Sequence, residues 1–327
     1  MKIAVIEKEH IVVKNVDKIT LDDRKGAIVK VLGCGLCGSD IVKFREHISK
    51  DGTVLGHEIV AEIVEINSDT KFKTGEKIVT SHHIPCGTCD YCRHGNVSMC
   101  KHFKSTNILP GGFSEYVYLS EEHLQNVAHP MPENLSEIEA SFYEPLGCCV
   151  RAVKRAKLMD GSKVLVVGLG SIGILMSQAL KAYGMNVMGC DLIQDRIEIL
   201  QNLGIDAVDS RDLVQAEVFD AVFMTSGADK AIDVALKTIK SGGTILVFSS
   251  TPHNTGYPNN EIYYRELTVL GSYSPAPVDL KDSLELLRTG KVNVKDLSTV
   301  YSLDDIQKAF DDTIANRIMK AYIKIKD

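Results

Sequence analysis

Four cysteines fall within one short stretch, "CGTCDYCRHGNVSMC", spaced Cys86-x2-Cys89-x2-Cys92-x7-Cys100. Thiolates are soft donors, and four of them on so short a loop can close tetrahedrally on a zinc ion. Two other chemistries use clustered cysteines. A redox Cys-x-x-Cys pair opens a helix in a thioredoxin-like setting, which is not the context here. An iron–sulfur cluster also takes four thiolates, and spacing alone does not separate it from zinc. A fully ligated zinc has no open coordination position, so this loop is expected to be structural, with any reaction run elsewhere.

Three other segments carry donors of mixed type. "GCGLCGSD" (33–40) holds Cys37 and Ser39 in a loop after a strand, "GHE" (56–58) holds His57 and Glu58 at the start of another, and "YEPLGCC" (143–149) holds Glu144. One thiolate, one imidazole and one carboxylate suffice for a catalytic zinc with its fourth position open. Taken singly, each residue has an ordinary structural explanation: a small buried thiol, a satisfied loop histidine, a carboxylate at a helix start. Only a fold can bring three such distant segments together. Cys34, Cys148, Cys149 and Cys190 read most simply as small buried residues, with Cys148 a rival to Glu144 as a ligand.

"GLGSIG" (168–173) is a G-x-G-x-x-G that follows an apolar strand and opens a helix, the context a dinucleotide-binding turn requires. Gly168 permits the tight turn. Gly170 lets the backbone approach a pyrophosphate at the helix N-terminus, beside Ser171 and Ile172, and Gly173 allows helix and strand to pack closely. Asp191 ends the next strand, eighteen residues after Gly173. A carboxylate there accepts hydrogen bonds from the adenosine ribose and repels a 2′-phosphate, which favours NAD over NADP. Arg196, five residues on, weakens that preference.

The elements that must position these groups differ along the chain. Through about residue 130, β-branched stretches at 27–35, 58–66, 76–83 and 113–120, punctuated by Gly, Asp and Asn, predict an irregular β-rich domain. From about 145 to 272, apolar strands at 163–170, 186–191, 206–209, 219–226, 242–250 and 266–273 alternate with helical stretches such as 228–242, which predicts a doubly wound parallel sheet. Beyond 275 the chain reads as helices and a closing strand, "MKAYIKIK".

Bulk properties narrow the class. A chain of 327 residues is long for one core. Its net charge of −6 and lack of a basic stripe argue against nucleic acid or an anionic membrane as partner. The longest apolar run, 164–176, is too short to span a bilayer. The N-terminus has no signal-peptide h-region, so a cytoplasmic protein with reduced thiols is expected.

"GLCGSD", "GHE", the cysteine loop, "GGFSEYV", "EPL", "GLGSIG" and "SGGTILV" occur in the order and rough spacing of the zinc-dependent medium-chain alcohol dehydrogenases. The chain resembles that family over nearly its whole length, and "EPL" most resembles its polyol (sorbitol-type) branch. The resemblance implies an α/β fold in which a GroES-like β-rich catalytic domain, 1–144 with 273–327, accompanies a Rossmann NAD-binding domain, 145–272. It implies Cys37 and His57 as zinc ligands, Glu58 and Glu144 as ligands or close carboxylates, and Ser39 as the start of a proton relay. It implies a second, structural zinc on Cys86, Cys89, Cys92 and Cys100. The reaction would be hydride transfer between a secondary alcohol (a polyol, sugar or cyclitol) and NAD. A threonine or amino-alcohol dehydrogenase of the same family, and a non-catalytic NAD-binding regulator, are the alternatives. A homodimer or homotetramer is implied, with "LTVLGSY" as a sheet edge. Three features depart from the pattern: Val42 stands where many relatives carry a relay histidine, leaving the relay to run through the ribose to water or through His47; Ala61 replaces a usual glycine; and Cys148 and Cys149 follow "EPL" closely. Lys43 and Arg45 could attract an anionic substrate group, or simply be a solvated face.

Overall fold

The computed structural model describes residues 1–251 and 256–325. The chain forms two compact units, Met1–Pro145 with Ala276–Arg288 and Val294–Asp327, and Leu146–Pro275 with Thr289–Asn293.

The first unit opens with a hairpin, β1 (Lys2–Glu7) and β2 (His10–Asn15). Then come β3 (Gly26–Gly35), helix α1 (Gly38–Arg45), β4 (Glu58–Asn67) and β5 (Lys77–Thr80). The cysteine stretch carries two short helices, α2 (Asp90–Arg93) and α3 (Lys101–Ser105). After it come β6 (Tyr116–Ser120), α4 (Glu121–Asn126), β7 (His129–Pro130), α5 (Glu137–Ala140) and the start of α6 (Tyr143–Ala156). Pro145 lies in the first turn of α6, where its missing N–H has no partner to lose.

The second unit is a six-stranded, all-parallel sheet. Its elements are β8 (Lys163–Val167), α7 (Ser171–Ala182), β9 (Asn186–Asp191), α8 (Gln194–Asn202), β10 (Asp206–Asp209), β11 (Phe219–Met224), α9 (Ala231–Thr238), β12 (Ile239–Val247), α10 (Asn259–Tyr264) and β13 (Thr268–Gly271), with strand order β10-β9-β8-β11-β12-β13. The α/β class with a doubly wound sheet therefore holds. The link from β10 to β11 passes two intervening strands with only residues 210–218. Strands lie about 4.8 Å apart, so the link must move roughly 14 Å sideways and also return along the strands. Nine helical residues rise only about 13.5 Å. The segment consequently runs without a helix and leaves a groove of about 560 Å³ lined by Val187, Met188 and Val208 of the sheet and Leu213, Val214 and Val218 of the link.

Returning to the first unit, the chain adds α11 (Pro277–Arg288), β14 (Ser298–Ser302), α12 (Ile306–Ile314) and β15 (Lys320–Lys324). The larger sheet then reads β14-β15-β3-β4-β5-β7, with β6 also paired to β3. Its core joins Val29 and Val31 of β3 and Ile59 and Ile63 of β4 to Phe310 of α12, whose ring meets Phe44 edge-on at 5.3 Å. The closing stretch from Tyr301 to Ile325 is thus part of the same core as the opening strands.

The structure departs from several sequence expectations. The β1–β2 hairpin and β14 were not foreseen. The helical reading over 228–242 stops at Thr238, because Ile239 already pairs with Phe219 in the sheet. The strand expected at 76–83 ends at Thr80, and that at 113–120 begins at Tyr116. Cys37 and Ser39 do not sit in a loop: Cys37 caps α1 and Ser39 lies in its first turn.

His129 in β7 packs its ring 5.8 Å from Tyr143. Burial, with Lys71 and Lys281 adding, holds its pKa near 4. A depressed histidine stabilises the fold fully above its unfolded value of about 6.5 and loses that contribution as pH falls towards its folded value. The urea midpoint is expected to drop between pH 6.5 and 4, and to drop less in His129→Leu. Equal slopes for the two proteins would refute the assignment.

Candidate active site

Strand register builds the site. In the antiparallel β3–β4 pair, Gly35 lies opposite Glu58, so the residues that follow β3 and precede β4, Cys37 and His57, emerge together at one sheet end. On the other side of β3, Tyr322 of β15 opposes Gly35 and Leu36 N–H donates to the Ala321 carbonyl at 2.9 Å, which brings Lys320 to the same end. Beyond β4, Ile59 opposes Thr80 of β5, and continuing that pairing sets His82 across from His57. Four neighbouring strands deliver their polar residues to one place.

There, ligand atoms of Cys37, His57 and Glu58 lie within 4.8 Å of one another. His57 and Glu58 are buried and Cys37 is half-buried. A Cβ at Gly35 would stand 2.0 Å from Glu58 Oε2, so a larger residue there would push that carboxylate out of its place. Glu58 pairs with the Lys320 ammonium at 2.5 Å, and Lys320 Nζ also donates to the Leu36 carbonyl at 3.3 Å. Burial alone would discharge Lys320, but Glu58 and Cys37 raise its pKa and keep it charged. Asp40, fully buried, sits 3.4 Å from His57 Nδ1 and accepts from Cys37 N–H at 3.2 Å. Burial opposes the Asp40 charge, yet His57 beside it holds its pKa below the usual range. With Nδ1 turned to Asp40, the other ring nitrogen is oriented for a metal. Ser39 N–H points at Cys37 Sγ, 3.5 Å away. The Ser39 side chain is exposed, as is His47. Ala61 is fully buried in β4, so its methyl is absorbed by the core. Glu144 is buried at the start of α6 but falls outside the close donor group.

The donor set fits zinc. Glu58 Oε1 is buried without a hydrogen-bond partner and so is available to a cation. The four loop cysteines also converge: Sγ separations are 3.6 Å for Cys89–Cys92, 3.6 Å for Cys86–Cys100 and 4.0 Å for Cys86–Cys92. Zn–S bonds of about 2.3 Å give tetrahedral edges of about 3.8 Å. The backbone amides of Thr88 and Cys89 pull the Cys86 pKa down to about 5, favouring the thiolate a metal needs.

In the second unit, Gly168 has φ +95°, and Gly170 caps α7 with open space where a Cβ would stand. A Cβ on Gly173 would lie 1.9 Å from the Gly168 carbonyl oxygen. Ser171 and Ile172 form the half-buried first turn of α7. Asp191 accepts from Leu169 N–H at 2.6 Å and from Leu192 and Ile193 N–H at 2.7 and 3.0 Å, and Arg196 approaches it at 3.7 Å. The carboxylate is therefore fixed beside the glycine turn.

Residues 23–132 match the alcohol dehydrogenase GroES-like domain and residues 171–289 the zinc-binding dehydrogenase domain. Sorbitol dehydrogenase 2 of Saccharomyces cerevisiae is 31% identical, covering 91% of this chain and 89% of its own. The chain belongs to the zinc-dependent alcohol dehydrogenase family. D-xylulose reductase A of Aspergillus oryzae is 30% identical over 93% of this chain and 90% of its own. In structure, this zinc-dependent alcohol dehydrogenase is similar to alcohol dehydrogenase TADH from Thermus sp. ATN1, with TM-score 0.88, 23% identity and full coverage of both chains. It is an oxidoreductase that uses zinc and a nicotinamide dinucleotide.

Three site residues escaped sequence reasoning. Asp40 had a visible signal, a carboxylate three positions after a cap residue, the spacing of a capping box. His82 was half-visible as one of a histidine pair before the cysteine loop. Lys320 had none, because only strand pairing brings residue 320 to residue 58.

Cys100→Ser is expected to lower bound zinc from about two to about one per chain. Unchanged zinc by elemental analysis would contradict a four-thiolate site. Gly173→Ala is expected to destabilise the second unit by a few kcal/mol, since backbone must move, and to weaken NADH binding at least about tenfold. Calorimetric titration with NADH matching wild type would count against the turn as the cofactor site.

Proposed function

We propose that the chain is an NAD-dependent polyol dehydrogenase that interconverts a secondary alcohol of a polyol, sugar or cyclitol with its ketone. The observation that carries the reading is the buried convergence of Cys37, His57 and Glu58, with one glutamate oxygen unpartnered. Zinc held there would supply Lewis acidity to the alcohol oxygen, lowering its pKa. Cys37 and His57 hold the metal, Asp40 fixes the imidazole, and Lys320 fixes Glu58. Glu144, buried at the start of α6 but outside the close donor group, would reach the metal only as a further carboxylate, directly or through water. Ser39, exposed in the first turn of α1, takes the hydroxyl proton. A nicotinamide dinucleotide bound to the second unit would supply the acceptor for the hydride that leaves the carbinol carbon as the ketone forms. The glycine turn 168–173 and Asp191 hold the dinucleotide. Asp191, with Arg196 engaged against it, favours an unphosphorylated ribose.

The relatives named for sorbitol and xylulose support a polyhydroxylated substrate, as does the polar character of Ser39, Lys43 and His82 around the donor group. Strand β13 occupies an open edge of the parallel sheet with Val269 and Tyr273 exposed, which supports pairing with a second copy in a dimer or tetramer. Among the described residues no helix is long and apolar enough to cross a membrane. None of the nine cysteines is joined in a disulfide, which fits a reducing cytoplasm.

The test is an NAD-reduction screen over polyols, cyclitols, sugars, amino alcohols and monohydric secondary alcohols, with Cys37→Ala as control. Polyols or cyclitols are expected to give the highest kcat/KM, and Cys37→Ala to lose about 10³-fold or more. A screen led by amino alcohols, or a fully active Cys37→Ala, would overturn the proposal.

A further inference from the structure

Resting on the polyol reading above, we propose that His82 recognises the substrate, its ring hydrogen-bonding a second hydroxyl beside the carbon that reacts. The position follows from register: the β4–β5 pairing places the His82 ring 4.5 Å from the His57 ring, centroid to centroid, tilted by 40°. His82 is buried, yet its Nδ1 has no hydrogen-bond partner. A buried polar atom left unmade costs about 1–3 kcal/mol, and native structures keep such groups where something else satisfies them.

The neighbours are otherwise committed. His83 Nδ1 is bonded to the Thr106 carbonyl at 2.5 Å. His123 Nε2 is bonded to the His82 backbone carbonyl at 3.2 Å, which holds the end of this strand without using the His82 ring. Asp40 is taken by His57 and by the Cys37 and Gly56 amides. The ring that carries the unpaired nitrogen thus packs against the candidate ligand His57, and the protein gives that nitrogen no hydrogen-bond partner.

A neutral imidazole carries one donor and one acceptor, and so does a hydroxyl. The match suits an uncharged polyhydroxylated substrate. A monohydric alcohol would leave the nitrogen unsatisfied, and a site built for a hydroxyl discriminates strongly against analogues that lack it.

The experiment uses metal-replete enzyme and compares sorbitol with 2-butanol for wild type, His82→Phe and His82→Asn, with zinc content measured on each. His82→Phe is expected to lower kcat/KM for sorbitol by about 10²-fold while 2-butanol changes less than about threefold. Zinc per chain should stay at the wild-type value. His82→Asn, which keeps a donor and an acceptor, should recover part of the loss. Calorimetric binding of sorbitol to the NAD-free protein should weaken in His82→Phe. If both alcohols fall together, or zinc is lost, His82 is structural or metal-holding and the assignment fails. If wild type oxidises sorbitol and His82→Phe keeps the sorbitol-to-butanol ratio, the assignment alone fails. If wild type oxidises no polyol at all, the function proposed above falls and takes this assignment with it.

Discussion

The pairing of Gly35 with Glu58 is the constraint on which the site depends. It is one rung of an antiparallel ladder, but a slip of one residue would send every side chain of the strand to the opposite face. The thiolate and imidazole would then separate. The rung is guarded on both sides: β15 pairs with β3 through Gly35 as well, and a Cβ on Gly35 would displace the Glu58 carboxylate. The hydrophobic faces of β3 and β4, with Phe310 behind them, fix the register from below. The core thus positions the chemistry without contributing to it.

The buried charges show what this arrangement costs. Glu58 and Lys320 are almost wholly removed from water, where an unpaired charge is expensive and a good pair about breaks even. A pure stability argument would replace the pair with apolar residues. Its place beside Cys37 and His57 gives a different reason for it. The lysine holds one carboxylate oxygen and leaves the other unpartnered at the donor group, so a negative charge is kept near the metal position without collapsing onto its own hydrogen bonds. Asp40 does the equivalent for His57 on the other side. The loop cysteines need no such support, since their four sulfurs lie on one short stretch and their backbone amides suffice.

Local signals in the sequence carried much of this. The glycine turn, the cysteine spacing and the strand–helix alternation each arise within a few tens of residues, and each appears in the structure where its pattern placed it. The α/β class held for the same reason. What was hidden is what depends on long-range pairing. Nothing near Lys320 marks it as a partner of Glu58. The β1–β2 hairpin was obscured because "KIAVIE" is buried almost continuously and shows no alternation. Ile239 was read as helical because its neighbours are, whereas the partner that makes it a strand, Phe219, lies twenty residues back. Glu144 is placed near the site by resemblance alone; it is buried, but the close donor group forms without it.

The bare link between β10 and β11 limits how this sheet can change. Nine residues drawn out fully span about 30 Å, and the diagonal they cover takes most of that length. Deletions there would soon drag β11 out of line with β8. Insertions meet almost no resistance, because doubling a loop adds only about 0.6 kcal/mol of closure entropy. The length of this crossing is bounded sharply from below and hardly at all from above, so a lineage could lay a new helix over the exposed valines at little cost, while one that shortened the link would lose the sheet.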